Sequence, residues 1–346
     1  MYYIIIIESF RKEEYNLTKL NERVKLSDIA KAVGVSCSTV SYALSGKRSI
    51  STETKDRILR EIDRQGYKPN AIARSFVTKK TNTIGLYVNR DFEANDLFML
   101  SNIRGIDSVI NELRYKILLL NELESEAVED YSIPIDKTFA IDGAIVCNAR
   151  NLRWYLSNFE KERLLFVLMG KPPHGVDVYY VDNDNQDAAY RAVCHFFHEG
   201  LKRIALVLYC DQNTTLNLDY IIGYTAAHNN YQVEFRPELI FRAHKSQLKE
   251  FRDMIAQKKV DGVLMLSPDA SFRRICLSAE NPQIPVVFFG LDLYREFLQP
   301  TVSGNFSYIE SNAQALGKTC GEVLMQLIRG ENPPKSTILK QRIIPL

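Results

Sequence analysis

Residues 24–45 read VKLSDIAKAVGVSCSTVSYALS, and two short helices account for this stretch. The first is predicted from Ser27, as N-cap, to Val33, with Ile29, Ala30 and Val33 spaced to bury one face. Gly34 follows as the residue able to take a left-handed conformation just past a helix end. Ser36 then caps a second helix, expected to turn Val40 and Leu44 inward and to show Cys37, Ser38, Ser41 and Tyr42 on its other face. Two helices joined by so short a glycine-containing turn form a helix-turn-helix, whose second helix lies in the DNA major groove. Small hydroxyls, a thiol and a phenol can approach phosphates and base edges closely. The competing account is a two-helix corner in an ordinary core.

The flanking sequence extends this motif into a small head. Ser51 and Thr52 offer caps for a third helix, Glu53 sits in its first turn, and Ile58, Leu59 and Ile62 form a stripe ending before Gly66. Tyr67 closes the core and Pro69 breaks the helix, so residues 24–69 make a three-helix unit small enough to be marginally stable alone. Asn70 can cap a helix of one and a half turns through Val77, and a polar linker leads on to residue 82. A helix that short does not hold in water without DNA or a partner copy, which marks residues 70–82 as a switch element.

Length and charge agree with a modular protein. A chain of 346 residues holds two or three domains. Its net charge is only +2, yet residues 24–80 carry +7 and residues 81–346 carry −5. A basic head on an acidic body is the electrostatic footprint of a nucleic-acid binder. The six cysteines stand singly at 37, 147, 194, 210, 276 and 320, without a CxxC pair, and read as reduced residues of a cytoplasmic protein. Residues 1–23 begin with the apolar run MYYIIII, too short to cross a bilayer and lacking the flanks of a signal peptide. They are an extension of unassigned role.

The ordered series Leu26-Ser-Asp-Ile-Ala-Lys-Ala-Val-Gly-Val-Ser, Ser38-Thr-Val-Ser41, Gly46-Lys-Arg, Gly66-Tyr-Lys-Pro-Asn70, Ala73-Arg74 and Ile84-Gly85 resembles the LacI/GalR family of bacterial transcription regulators. The match is dense over residues 24–86 and thinner to the C-terminus. By this resemblance Cys37, Ser38 and Tyr42 occupy base-reading positions, Thr39 and Ser41 resemble phosphate-contacting hydroxyls, and Ser36 is the cap that aims the helix. Asn70 and Ala73 look like hinge-helix residues entering the minor groove, and Phe76 stands where the family usually places a leucine wedge. An arginine is common at position 42, where it grips guanine bidentately; Tyr42 cannot do that.

Residues 83–346 read as alternating strands and helices. Strand-like runs include 83–88, 115–120, 143–147, 164–168, 203–208, 262–266 and 285–289, and the helical stretches that separate them include 97–113, 187–199, 246–257 and 312–329. Continuous Val/Ile/Leu runs between helices predict doubly wound parallel sheets. The resemblance implies two such lobes, like a periplasmic sugar-binding protein, with an effector between them. It puts the interlobe crossings near Asp184, near 304–310 and near 331–334, and a dimer interface on 97–113. Nothing like a heptad zipper follows Arg329. For the effector it points to Asp269 and Asp292, after strands, and to Tyr220, which stands where many members place an arginine. Each carboxylate reads equally well as a polar loop residue. Stacking by Tyr220 would suit a pyranose, so a sugar is the favoured effector.

Rival sites are weak. His195 and His198 share a helix face but have no acidic or cysteine partner on that turn, and packing is the commoner role. Asp182, Asp184 and Asp187 lack the glycine and terminal glutamate of a calcium loop and fit an interlobe crossing better. No GxxxxGK[ST] or GxSxG occurs, and no strand is followed by GxGxxG. A transport-type solute binder has no use for residues 24–80, and an enzyme on this fold has no nameable nucleophile–base pair. The expectation is a bacterial, cytoplasmic regulator, neither enzyme nor membrane protein, with no cofactor or metal. It pairs as a homodimer on a palindromic double-stranded operator under a small-molecule, carbohydrate-like effector.

Overall fold

The computed structural model describes residues 24–45, 48–67, 80–88, 97–121, 141–147, 152–210, 214–266, 270–276, 284–290 and 306–345. The chain divides between Thr81 and Asn82 into two compact units.

The first unit holds helices α1 (Leu26–Val33), α2 (Cys37–Ser45) and α3 (Thr52–Gln65). Helix α1 begins two residues earlier than a Ser27 cap implies. Lys25 is its N-cap, and the Asp28 carboxylate reaches back to accept the Lys25 N–H at 2.9 Å. Gly34 ends α1 at φ +76°, where a side chain would be strained, and its N–H caps Ala30. Ser51 caps α3 by accepting the Thr54 N–H. Ile29, Ala30, Val33, Val40, Ala43, Ile58 and Ile62 form one core, with Tyr67 partly buried against it. Arg57 ties α3 to the end of α1 by donating to the Val33 carbonyl at 2.9 Å. Two expected core residues face out: Leu44 and Leu59 are 37% and 38% exposed. Ala43, three residues after Val40, fills the inward position assigned to Leu44.

The second unit follows the alternation expected of it. Its chain runs β1 (Thr83–Val88), α4 (Leu97–Ile110), β2 (Lys116–Asn121), β3 (Gly143–Cys147), α5 (Leu152–Glu162), β4 (Phe166–Met169) and β5 (Tyr180–Asn183). It continues through α6 (Asn185–His198), β6 (Ile204–Leu208), α7 (Thr215–Tyr231), β7 (Ile240–Arg242), α8 (Leu248–Ala256), β8 (Gly262–Met265), α9 (Ala270–Cys276), β9 (Val286–Phe289) and β10 (Phe306–Ile309). Helix α10 (Ala313–Ile328), β11 (Ser336–Leu339) and β12 (Ile343–Pro345) complete it.

Two six-stranded sheets result, ordered β2-β1-β3-β4-β5-β11 and β7-β6-β8-β9-β10-β12. All pairings are parallel except β10 with β12. Period-two alternation along each strand feeds cores on both faces. In the first lobe Ile84, Leu86, Ile145 and Cys147 pack toward α4 and α10, whereas Tyr87, Ala144 and Val146 pack toward α5. In the second, Ala205 and Val207 meet α8 and α9, while Leu206 and Leu208 meet α6 and α7. Helices α4 and α10 touch backbone to backbone. A Cβ on Gly317 would lie 2.1 Å from the Asn102 carbonyl oxygen, and one on Gly105 2.1 Å from that of Gln314.

The lobes are joined by three strands of chain. Asp184 links β5 to α6, residues 310–312 link β10 to α10, and residues 340–342 link β11 to β12. The first is where it was expected and the second lies at the end of 304–310. The third is displaced from 331–334, because α10 and β11 belong to the same lobe and no crossing separates them.

Candidate functional site

The outer face of α2 has the chemistry anticipated from its sequence. Ser36 precedes the helix, and its Oγ accepts the Thr39 N–H at 3.1 Å and shares a hydrogen bond with Thr39 Oγ1 at 2.9 Å. This fixes the first turn, in which Thr39 is half-buried. Cys37, Ser38 and Ser41 are exposed, and Tyr42 is half-buried. Val40 and Ala43 are buried on the opposite side, so rigid packing sets how the polar face is held. A residue not singled out before joins it: the Arg48 guanidinium lies over the Tyr42 ring, 5.3 Å from its centroid. Asn70, Ala73 and Phe76 lie outside the described residues, as do residues 1–23.

In open α/β sheets ligands bind beyond the carboxyl ends of strands, at the points where strand order reverses. Here those points fall between β1 and β3 and between β6 and β8. Asp269 and Asp292 lie outside the described residues. Gly170, following β4, has φ +109° and open space where a side chain would be. Next to it Lys171 extends to the other lobe. Its Nζ is 2.9 Å from Asp219 Oδ1 on α7, and its carbonyl accepts from Thr215 Oγ1 at 2.9 Å. Gln186, at the start of α6, donates to the same Asp219 oxygen at 2.7 Å.

Asp182 stands behind this contact. It accepts the N–H of Lys171 at 3.1 Å and that of Asn183 at 2.8 Å, with Asn185 Nδ2 at 3.3 Å from both oxygens. Burial, reinforced by the negative charge of Asp219, lifts its pKa to about 6 despite those donors. The crossings are cross-braced as well. Asn183 Nδ2 donates to the Ser311 carbonyl at 3.0 Å, Asn312 Nδ2 to that of Lys340 at 2.8 Å, and Arg342 grips Glu310 through two 2.8 Å bonds.

Tyr220 does not offer a stacking face. On α7 it shares an inward stripe with Tyr224 and Ala227, is fully buried, and meets Phe289 edge-on with centroids 6.2 Å apart. Its hydroxyl has no hydrogen-bond partner among the described residues, and burial pushes its pKa well up. His198 bonds the Tyr231 hydroxyl, Asp184 caps α6 and Asp187 pairs with Arg191 at 2.7 Å, so these side chains have structural partners. Among the described residues no group of three or more His, Cys, Asp and Glu could hold a metal ion, and no helix is long and apolar enough to cross a membrane.

Comparison with known proteins now bears on both units. Residues 25–70 match the family model for bacterial regulatory proteins, lacI family. The chain is 28% identical over 334 residues to the HTH-type transcriptional regulator MalR of Streptococcus pneumoniae, covering 92% of this chain and 97% of that one. It is 28% identical over 184 residues to catabolite control protein A of Priestia megaterium, covering 53% and 54%. Among solved structures, the lac repressor dimer bound to operator and the anti-inducer ONPF aligns at a TM-score of 0.75, with 16% identity over 93% of this chain and 98% of that one. A CelR–cellobiose complex aligns at 0.63, with 20% identity over 93% and 98%. These relatives are transcriptional regulators, not enzymes. Residues 25–70 are thus a lacI-family helix-turn-helix head, and the two-lobed body that follows is similar to the bodies of transcriptional regulators of that kind.

Proposed function

We propose that this protein is a repressor of carbohydrate-related genes that binds a palindromic operator as a homodimer and responds to a small sugar or sugar derivative. The observation that carries the reading is the division of α2, whose Val40 and Ala43 are locked in a core while Cys37, Ser38 and Ser41 face solvent. A helix so held can enter the major groove without rearranging. Ser36, Thr39 and Tyr42 complete the contact set, and residues 70–82, with Asn70, Ala73 and Phe76, form the hinge that folds on the minor groove.

Control runs through the body. The effector sits between the lobes with Asp269 and Asp292 as acceptors for its hydroxyls, and Tyr220 takes part through its hydroxyl rather than its ring face. Two bodies pair along 97–113, placing two heads on one operator. Binding changes the angle between lobes and thereby whether the paired hinges fold, a coupling on the order of 1–3 kcal/mol. That the relative CelR was solved with cellobiose, and the lac repressor with operator, supports this assignment of ligand and DNA.

The test is a gel shift against DNA upstream of the gene, repeated with each sugar that raises the melting temperature in a screen of carbohydrates and phosphosugars. A retarded complex altered by such a sugar is expected. Failure to select any duplex, or hydrolysis of a sugar without DNA binding, would sink the reading.

A further inference from the structure

Arg48 lies just beyond α2, is exposed, and places its guanidinium 5.3 Å from the centroid of the Tyr42 ring. Among the described residues the ring is its partner; no carboxylate or carbonyl there engages the guanidinium. Contact with a ring face uses no hydrogen-bond donor, so the five N–H groups of the guanidinium remain available in a fixed fork. Tyr42 lies one residue after Ser41 and four after Ser38, on the same polar face of α2. The ring therefore holds the cation beside the side chains that face DNA in the proposed function.

We infer that Tyr42 and Arg48 form one base-reading unit, in which Arg48 recognises a guanine in the major groove and Tyr42 is the positioning residue that holds it there. The inference rests on the DNA-binding reading and deepens it. A phenol at position 42 cannot present two donors to one base edge, whereas a guanidinium matches the O6 and N7 acceptors of guanine. The fork absent from α2 is thus supplied from six residues downstream. A phosphate contact alone would need no such platform, because phosphate oxygens accept from many directions and carry no sequence information. The aromatic contact restrains a side chain that otherwise samples many rotamers, which is the pre-organisation that base reading requires.

The experiment is selection of the full-length protein on a pool of random-sequence DNA duplexes, comparing base preferences for wild type, Arg48→Ala, Tyr42→Phe, Tyr42→Leu and the double variant Tyr42→Leu/Arg48→Ala. Arg48→Ala is expected to erase a guanine preference of about ten-fold at one position of each half-site. Tyr42→Leu should erase much of the same preference, Tyr42→Phe should keep it, and the double variant should be no worse than Arg48→Ala. Thermal melts report whether each variant is folded. The inference is overturned if Arg48→Ala weakens all sequences equally, if the two single variants act at different positions, or if Tyr42→Phe behaves like Tyr42→Leu. A wild-type protein that enriches no sequence would instead defeat the DNA-binding reading itself, before any variant is compared.

Discussion

Lys171 of the first lobe and Asp219 of the second form an ion pair at 2.9 Å, bridging the cleft although neither lies in a chain crossing. The Asp219 side chain is 6% exposed, that of Lys171 37%. Removing the cation leaves a buried carboxylate with Gln186 as its nearest donor, and that asymmetry governs the cost. Lys171→Met is expected to destabilise the body by about 1–3 kcal/mol, discounted for the exposed lysine. The double variant Lys171→Met/Asp219→Asn should recover part of that loss. Denaturant titration of the four proteins closes the cycle, and strict additivity would show that the pair does not couple the lobes.

Asp182 gives the body a pH signature. Its folded pKa of about 6 lies above its ordinary value of 3.8. Between these values the unfolded chain has already lost its proton while the folded protein still holds it, so this group favours folding at low pH. Its contribution is present below about 4 and is lost as pH rises through about 6. Glu310 and Asp261, held below their ordinary values with help from Arg342 and Arg203, act in the opposite sense. Asp182→Asn should therefore remove a falling component from stability between pH 4 and 6. Chemical melts at intervals across that window check this; an unchanged slope would deny Asp182 the role.

How much of this was legible beforehand follows from which residues carry it. The strands TIGLYV and GAIVC announce themselves because both faces of their sheet are covered. Strand β5, YVDN, is half polar because Asp182 and Asn183 serve the crossings, so it carries no strand pattern. Helix α7 shows no amphipathic stripe for a related reason: apolar residues lie all around it, with Tyr220 and Tyr224 buried while Leu218 and Ile222 are 56% and 42% exposed. The helices of the head and their buried faces were readable apart from Leu44, Leu59 and the α1 cap, since helix periodicity and caps are local signals. Lys171 and Asp219 are 48 positions apart, and no spacing rule connects them.

Tyr220 separates stability from response. Its buried hydroxyl lacks a hydrogen-bond partner among the described residues, an arrangement that costs about 1–3 kcal/mol wherever no water or ligand meets it. Tyr220→Phe keeps the edge-on packing against Phe289 and should leave the melting temperature unchanged or raised. If the hydroxyl contributes to effector binding, the same variant should lose most of the thermal shift that a binding sugar gives to wild type. An undiminished shift would remove Tyr220 from the effector set.

The head offers the last prediction, because its core is so small. Ile58 is fully buried between α1 and α2, with Ile62 one turn further along α3. Truncation to alanine removes three carbons' worth of packing and leaves a cavity, a loss of about 2–5 kcal/mol. A three-helix unit of this size has roughly that much stability in total. Ile58→Ala should therefore unfold the head and abolish DNA retardation, while the second unit, which has its own cores, keeps its melting transition and its response to sugar. Leu59→Ala, on the same helix but 38% exposed, should cost less than about 1 kcal/mol and keep DNA binding. Equal losses from the two substitutions, measured by gel shift and calorimetry, would mean that the buried face of α3 does not support α2.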